Sequence, residues 1–119
     1  MRVESLLYKA NRARLFADGF GFCFICGSKE QLQAHHVLCP YAKQHEVDYD
    51  VLTDLVSRID FYGYGRSMFG QPVTSVDDIR NLVILCEAHH KRADHGIHNI
   101  PFADWLMQKA RKARKADES

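Results

Sequence analysis

The amino-acid sequence predicts a small α+β fold in which helices flank two short strands. Three observations favour it. Apolar residues recur at helical spacing near both ends of the chain, two short apolar β-type segments lie between these ends, and cysteine and histidine pairs adjoin both segments. The chain has 119 residues, 46% hydrophobic and 26% charged, a composition and length that fit one domain with a modest core.

The first half of the chain predicts two helices and a strand. Apolar residues at helical spacing over 3–18, followed by Gly19, predict an amphipathic helix with a C-terminal stop. The apolar run Ala34–Leu38 predicts a strand that Pro40 helps to end. Helical spacing persists over 46–60 although this segment is acidic, so we expect a second amphipathic helix there.

The second half predicts a loop, a strand and two helices. The segment 61–72 is rich in glycine and aromatic residues and predicts a loop. The run Leu82–Leu85 is too short for a helix and predicts a strand, and 86–94 predicts a helix that Gly96 stops. Pro101 opens a last amphipathic helix over 100–116, whose second half is strongly basic.

The sequence also predicts the cellular compartment and whether the cysteines bind metal or form disulfides. No apolar run approaches the about 20 residues of a membrane span, and the first residues lack a signal-peptide pattern, so we expect a cytoplasmic chain without membrane contact. A reducing compartment favours metal binding over disulfides for closely spaced cysteines. Cys39 stands apart from the other three and is expected to be a buried free thiol.

Two short-spaced pairs of residues predict a structural zinc site. Cys23 and Cys26 form a CxxC pair, and Cys86 and His89 form a C-x2-H pair on one predicted helical face. Zinc binds four sulfur or nitrogen ligands in a tetrahedron, which two such pairs supply. His90 is the alternative to His89, because a spacing of four residues also shares a helical face.

Three ordered segments inside this cysteine frame resemble the HNH endonuclease family. They are AHHV at 34–37, NLVILC at 81–86 and HHKRADHG at 89–96. Together with the CxxC…CxxH frame, residues 23–96 are similar to the zinc-supported branch of the family, common among phage and restriction nucleases. The resemblance implies a ββα-metal fold, two strands followed by a helix, with a catalytic divalent metal between them.

The resemblance also implies roles for individual residues. His35 would bind the catalytic metal, His36 would act as the general base, Asn81 would hold the loop that carries the base, and His90 would be the metal ligand from the helix. A neutral histidine, with a pKa near 6.5, suits a general base at neutral pH. Adjacent strand residues point to opposite faces, so one of the two adjacent histidines needs a strand end or a bulge.

The metal set is expected to include one further ligand. Asp94 stands four residues after His90, so both can face one ion if the helix continues, and His95 is the alternative. Imidazole with one carboxylate suits Mn²⁺, Ni²⁺ or Zn²⁺ better than Mg²⁺, which serves if waters fill its shell. His45 and His98 are expected to be solvated or to lie behind the ligands.

The expected organisation is a single nuclease domain over 1–119. Its parts are an N-terminal helix at 1–19, a zinc core at 23–40 and 76–96, an insertion at 41–75 and a basic C-terminal helix at 100–116. The acidic insertion is a solvated face, a docking surface for a protein partner, or a restriction on access to the site. Its aromatic and basic residues offer nucleic-acid contacts, or pack on the core instead: Tyr62, Tyr64, Arg66 and Phe69.

The basic end of the chain is the expected nucleic-acid contact. Positive charges there would neutralise phosphates of duplex DNA without reading its sequence; the alternative is a tail that promotes solubility. The residues are Lys109, Arg111, Lys112, Arg114 and Lys115.

These observations predict a metal-dependent endonuclease that hydrolyses DNA phosphodiester bonds with little sequence specificity. The alternative from another class is a zinc-stabilised module that binds nucleic acid or protein and has lost catalysis. A nuclease toxin is a third possibility, which the absence of a delivery domain disfavours.

Overall fold

The computed structural model describes residues 5–92, 96–98 and 100–110. The order of helices and strands is α1 (Leu6–Ala17), β1 (Leu32–His36), α2 (Tyr49–Arg58), α3 (Tyr64–Ser67), β2 (Leu82–Cys86), α4 (Glu87–Lys91) and α5 (Phe102–Met107). The two strands form one two-stranded sheet, so the expected α+β class is confirmed. Three 3₁₀ turns complete the described structure, at Tyr41–Lys43, Ile79–Asn81 and Gln108–Ala110.

The chain divides into two compact units, and the division cuts both strands. The first unit contains Met1–Gly21 and Ala34–Ile84, and the second contains Phe22–Gln33 and Leu85–Ser119. Among the helices that the structure describes, none is both long and apolar enough to cross a membrane.

The first unit is built on α1 and α2. The Ser5 hydroxyl accepts a hydrogen bond from the Tyr8 amide and caps α1, which buries Tyr8 and Leu15. Asp48 caps α2 in the same way. The buried side of α2 joins a cluster of residues from the segments around it: Cys39, Leu52, Val56, Val73 and Val76.

The segment predicted as a loop at 61–72 contains the one-turn helix α3, which the sequence analysis missed. The Asp60 carboxylate accepts hydrogen bonds from the amides of Gly63, Gly65 and Arg66 at 2.9, 2.9 and 3.0 Å. Gly63 has φ +91°, a conformation that glycine adopts without steric cost. One turn of helix is too short to leave a hydrophobic period, which is why the sequence pattern did not indicate it.

Strand β1 begins and ends two residues earlier than predicted. It covers Leu32–His36, not 34–38, because the next amides leave the strand pairing. The amides of Leu38 and Cys39 donate to the side chain of Asn81 instead, at 2.9 and 3.3 Å. All five residues of β2 are buried.

The second unit contains α4 and α5. Helix α4 is shorter than the predicted 86–94, since Arg92 has extended dihedral angles and ends it after Lys91. Trp105 of α5 is fully buried, and its indole N–H donates to the His89 carbonyl at 2.8 Å. The helix predicted over 100–116 is observed as α5 followed by a 3₁₀ turn ending at Ala110, and residues 111–119 lie outside the described part.

Candidate active site

The structure brings together the four residues predicted to hold structural zinc. Their ligand atoms all lie within 4.8 Å of one another, so the group could hold a metal ion. The Cys86 sulfur lies 3.7 Å from the Cys26 sulfur and 3.4 Å from Nδ1 of His89. The sulfur of Cys23 lies 3.9 Å from the same His89 nitrogen.

Two local turns aim these ligands at one point. The Gly27 amide donates to the Cys23 carbonyl and the Cys23 amide donates to the Ser28 carbonyl, both at 2.8 Å, which folds the CxxC segment back on itself. Cys86 ends β2 and stands immediately before α4, so His89 follows it within the first turn of the helix. All four cysteines lie in the described residues, and none forms a disulfide.

The two thiols of the CxxC pair differ in acidity. Burial raises the pKa of Cys23, but hydrogen bonds from His89 and from backbone amides outweigh it and lower the pKa to about 6. Burial raises the pKa of Cys26 to about 12, and the neighbouring Cys23 adds to the increase. Of the two thiols of the CxxC pair, Cys23 therefore loses its proton first when no metal is bound, because a second thiolate beside it is disfavoured.

His90 lies in a buried position that keeps its ring neutral. The side chain is 8% exposed, and burial, with the nearby His98 and Lys91, lowers its pKa to about 4. Nδ1 of His90 lies 2.6 Å from Oε1 of Gln33. Because an amide oxygen only accepts hydrogen bonds, Nδ1 carries the hydrogen and Nε2 carries the lone pair.

The lone pair of His90 points towards His98, which the sequence analysis placed in solvent or behind the ligands. His98 is exposed, but its Nε2 lies 2.9 Å from Nε2 of His90. The His98 amide also donates to the His90 carbonyl, at 3.4 Å. Residues eight apart in a continuous helix lie about 12 Å apart along its axis, so helical spacing could not have indicated this contact.

Gly96 lies against the backbone at the end of α4. Its amide donates to the Arg92 carbonyl at 2.7 Å, and a Cβ at this position would lie 2.7 Å from the Arg92 nitrogen and 2.8 Å from its carbonyl oxygen. Only glycine fits so close to the backbone. The prediction that Gly96 stops this helix is wrong, because α4 already ends at Lys91, where the extended backbone of Arg92 breaks the helical hydrogen bonding.

Asn81 is completely buried and uses both ends of its amide. Its oxygen accepts from the amides of Leu38 and Cys39, and its nitrogen donates to the carbonyls of Cys39 and Val76 at 3.0 and 2.7 Å. The side chain therefore ties the segment that follows β1 to the segment that precedes β2. The role of holding the loop that carries the base stays a prediction for Asn81.

His36 is the last residue of β1 and contacts a carboxylate that the sequence analysis missed. Its Nε2 lies 2.7 Å from Oδ1 of Asp77, and both side chains are almost buried. The ring centroid of Tyr8 lies 6.0 Å from that of His36. Asp77 stands 41 residues from His36 in the sequence, and no local pattern connects the two.

A comparison of the sequence with known protein families gives one match. A family model described as HNH endonuclease matches residues 23–104, well over half of the chain. The chain belongs to the HNH endonuclease family. No curated protein and no solved structure matches it.

The other residues predicted to bind the catalytic metal of this HNH protein are His35, Asp94 and, as an alternative, His95. His35 is half-buried on β1, one residue before His36 and two after Gln33, so it shares the strand face of Gln33. Asp94 lies beyond the end of α4 and, like His95, outside the described residues. The helical spacing that suggested Asp94 as a ligand therefore does not apply, since the helix ends at Lys91.

Of the basic C-terminal residues predicted to contact nucleic acid in the HNH protein, one lies in the described part of the chain and the others do not. The ammonium of Lys109 donates to the Phe24 carbonyl at 2.8 Å and lies 4.1 Å from the centre of the Phe24 ring, so it is held by the protein. The other four basic residues, Arg111, Lys112, Arg114 and Lys115, lie outside the described part of the chain.

The aromatic residues of the insertion mostly contact the protein itself. The hydroxyl of Tyr64 donates to Asp18 at 2.6 Å, and that of Tyr62 accepts from the Ile84 amide at 2.9 Å. Phe69 is 82% exposed, and Arg66 is exposed as well. Of Tyr62, Tyr64 and Phe69, the side chain that remains exposed for an external contact is therefore that of Phe69.

Proposed function

We propose that this HNH protein is a metal-dependent endonuclease that hydrolyses phosphodiester bonds in DNA with little sequence specificity. The observation that carries the proposal is the state of His90, whose neutral ring presents the Nε2 lone pair beside His98. Metal-binding histidines typically donate their other ring N–H to a carbonyl or carboxylate, as His90 does to Gln33.

The cysteine-rich group fits structural zinc. Zinc–sulfur bonds of about 2.3 Å in a tetrahedron place two sulfurs about 3.8 Å apart, and Cys26 and Cys86 are separated by 3.7 Å. All four ligands are protein residues, as in sites with no open position for substrate. We assign Cys23, Cys26, Cys86 and His89 to this role.

The histidine group fits a catalytic divalent ion. Nitrogen ligands about 2.1 Å from an ion stand about 3.0 Å apart at neighbouring octahedral positions, close to the 2.9 Å between His90 and His98. We propose these two nitrogens as ligands, with His35 as the third because it shares the strand face of Gln33. Asp94 and His95 are the alternative donors. The ion, Mg²⁺, Mn²⁺, Ni²⁺ or Zn²⁺, would neutralise charge developing on the phosphate oxygens.

The proposed general base is His36. Its position at the end of β1 meets the requirement for a strand end beside His35, and Asn81 fixes the backbone that follows it. His36 would take a proton from the attacking water. The family resemblance implies products with 5′-phosphate and 3′-hydroxyl ends.

The substrate contacts that we propose are electrostatic. The basic residues after Ala110 would bind phosphates of duplex DNA, and chain 1–119 would act as one nuclease domain. In the insertion, α2 exposes Val51 and Leu55 (53% and 38%), the surface that a protein partner of residues 41–75 would cover.

The test is cleavage of supercoiled plasmid with each of the four divalent metals. Wild-type protein should nick the plasmid in at least one metal. His36→Ala should lower the rate by about 10²- to 10⁴-fold, as loss of a general base does, with zinc content and DNA binding retained. His45→Ala is the matched control, since it removes an exposed histidine of the same unit.

Two outcomes would contradict the proposal. Zinc-loaded protein that binds DNA but does not cut it in any metal would favour the catalytically inactive binding module. Cleavage by His36→Ala at the wild-type rate would remove His36 as the base, and His35→Ala would then be measured.

A further inference from the structure

Asp77 is a buried carboxylate that no part of the proposed mechanism has yet used. It is 4% exposed, and its Oδ1 lies 2.7 Å from Nε2 of His36. A carboxylate only accepts hydrogen bonds, so the hydrogen of this contact belongs to His36. The neutral ring therefore carries its proton on Nε2 and its lone pair on Nδ1.

We propose that Asp77 is a positioning residue for His36, fixing its ring and its Nε2–H tautomer so that Nδ1 receives the proton during cleavage. The inference rests on the proposed function of His36 as general base. An imidazole can take a proton only at the nitrogen that lacks one, so the partner that fixes the tautomer also selects the reacting nitrogen.

Asp77 is itself held from several sides. The Ser5 hydroxyl donates to its Oδ2 at 2.5 Å, and the Asn11 side chain donates to its carbonyl at 2.8 Å. Its amide donates to the Ser75 hydroxyl at 3.1 Å. Because hydrogen bonds hold Oδ2 and both backbone groups of Asp77, its Oδ1 stays in place beside His36.

Two of these contacts come from α1 and the residue that caps it. Ser5 and Asn11 precede the residues 23–104 that the family model matches. The Tyr8 hydroxyl, also on α1, donates to the Ala34 carbonyl at 2.8 Å and so fixes the strand that carries His36. The N-terminal helix therefore supports both Asp77 and His36.

The proposed reaction breaks one bond to phosphorus for the one that it forms. Nδ1 of His36 takes a proton from water while the water oxygen forms a bond to phosphorus. The bond between phosphorus and the 3′ oxygen breaks, and that oxygen takes a proton from solvent. His36 then carries hydrogens on both nitrogens, and the negative Asp77 stabilises this cation. His36 afterwards releases the Nδ1 proton to solvent.

The experiment compares Asp77→Asn, His36→Ala and the double variant. Asparagine has the shape of aspartate, but its amide can donate to Nε2 and shift the proton to Nδ1. Asp18→Asn is the matched control, because Asp18 is a carboxylate of the same unit that holds a side chain, Tyr64, unrelated to the base. Single-turnover plasmid cleavage is measured over a range of plasmid concentrations, and ¹⁵N NMR of the imidazole reports the tautomer.

We expect Asp77→Asn to lower the maximal rate by about 10- to 100-fold, less than the about 10²- to 10⁴-fold expected from removing the base itself. The plasmid concentration for half-maximal rate should not change. Asp77→Asn should cause no further loss in a His36→Ala background, since a positioning residue acts only through the group it positions. NMR should show Nε2–H in the wild type and a lower Nε2–H fraction in Asp77→Asn.

Three results would overturn the proposal. The first is a double variant whose rate loss is the product of the losses of Asp77→Asn and His36→Ala. The second is an equal rate loss in Asp77→Asn and in the control Asp18→Asn. The third is a wild-type His36 that is protonated on Nδ1. If the wild type cuts no plasmid, the proposed function fails instead. The NMR spectra of the wild type and of Asp77→Asn then decide by themselves whether Asp77 fixes the tautomer of His36.

Discussion

At the scale of single residues, His98 provides a direct test of the histidine group. If His98 is a metal ligand, His98→Ala should weaken Mn²⁺ binding by about 10- to 100-fold, because the ion then has one protein ligand fewer. Asp94→Ala should have a smaller effect. Isothermal titration with zinc-loaded protein measures both affinities, and His45→Ala is the control. A greater loss in Asp94→Ala than in His98→Ala would return the ligand role to Asp94.

His90 provides a test by pH. Its pKa of about 4 lies below the ordinary histidine value of 6.5, because burial disfavours the charged ring. An unfolded chain therefore binds a proton at this histidine before the folded chain does, and folding stability decreases as pH falls from about 6.5 towards 4. NMR of zinc-loaded protein without added divalent metal should show a neutral His90 ring down to about pH 5. A midpoint near 6.5 would contradict this account.

At the scale of helices and strands, the sequence predicted which elements exist better than where they end. Periodicity predicted α1 and α2, and short apolar runs predicted both strands. Strand β1 ends earlier than predicted because Asn81 takes the amides that would have extended it. A spacing of three residues within each pair, Cys23 with Cys26 and Cys86 with His89, predicted the cysteine group, since ligands so close in sequence stay close in space. Asp77 was missed because its contact with His36 joins segments 41 residues apart, which no local pattern encodes. His98 was missed because the chain returns to His90 just after α4, which helical spacing does not predict.

The C-terminal element gives a prediction that separates its two roles. Lys109 is held by Phe24, so truncation after Ala110 retains this interaction and removes only residues 111–119. If these residues bind phosphates, the slope of the log of the DNA-binding constant against the log of the salt concentration should become shallower in the truncated chain. The expected change is about 0.9 for each phosphate contact that the truncation removes. Fluorescence anisotropy over a salt series measures the slope, and Lys109→Met in the full chain is the control. An unchanged slope would favour the tail that promotes solubility.

At the scale of the whole molecule, metal should contribute unequally to the two units. The first unit has a cluster of buried aliphatic residues around α2, whereas the second places its four metal-type ligands at the junction of its CxxC turn and α4. Structural zinc adds its binding free energy to folding, about 10–16 kcal/mol in zinc-finger peptides. Removal of zinc should therefore unfold the second unit first.

The single tryptophan allows this order to be measured. Trp105 is fully buried in the second unit and donates to the carbonyl of His89, one of the proposed ligands. A zinc chelator, or Cys86→Ser, should shift its fluorescence to that of an exposed indole, with release of one zinc ion per chain. Cys39→Ser is the matched control, since it changes a buried cysteine of the first unit and should retain zinc. Buried Trp105 emission after complete loss of zinc would show that the second unit folds without metal, and the four ligands would then have no structural role.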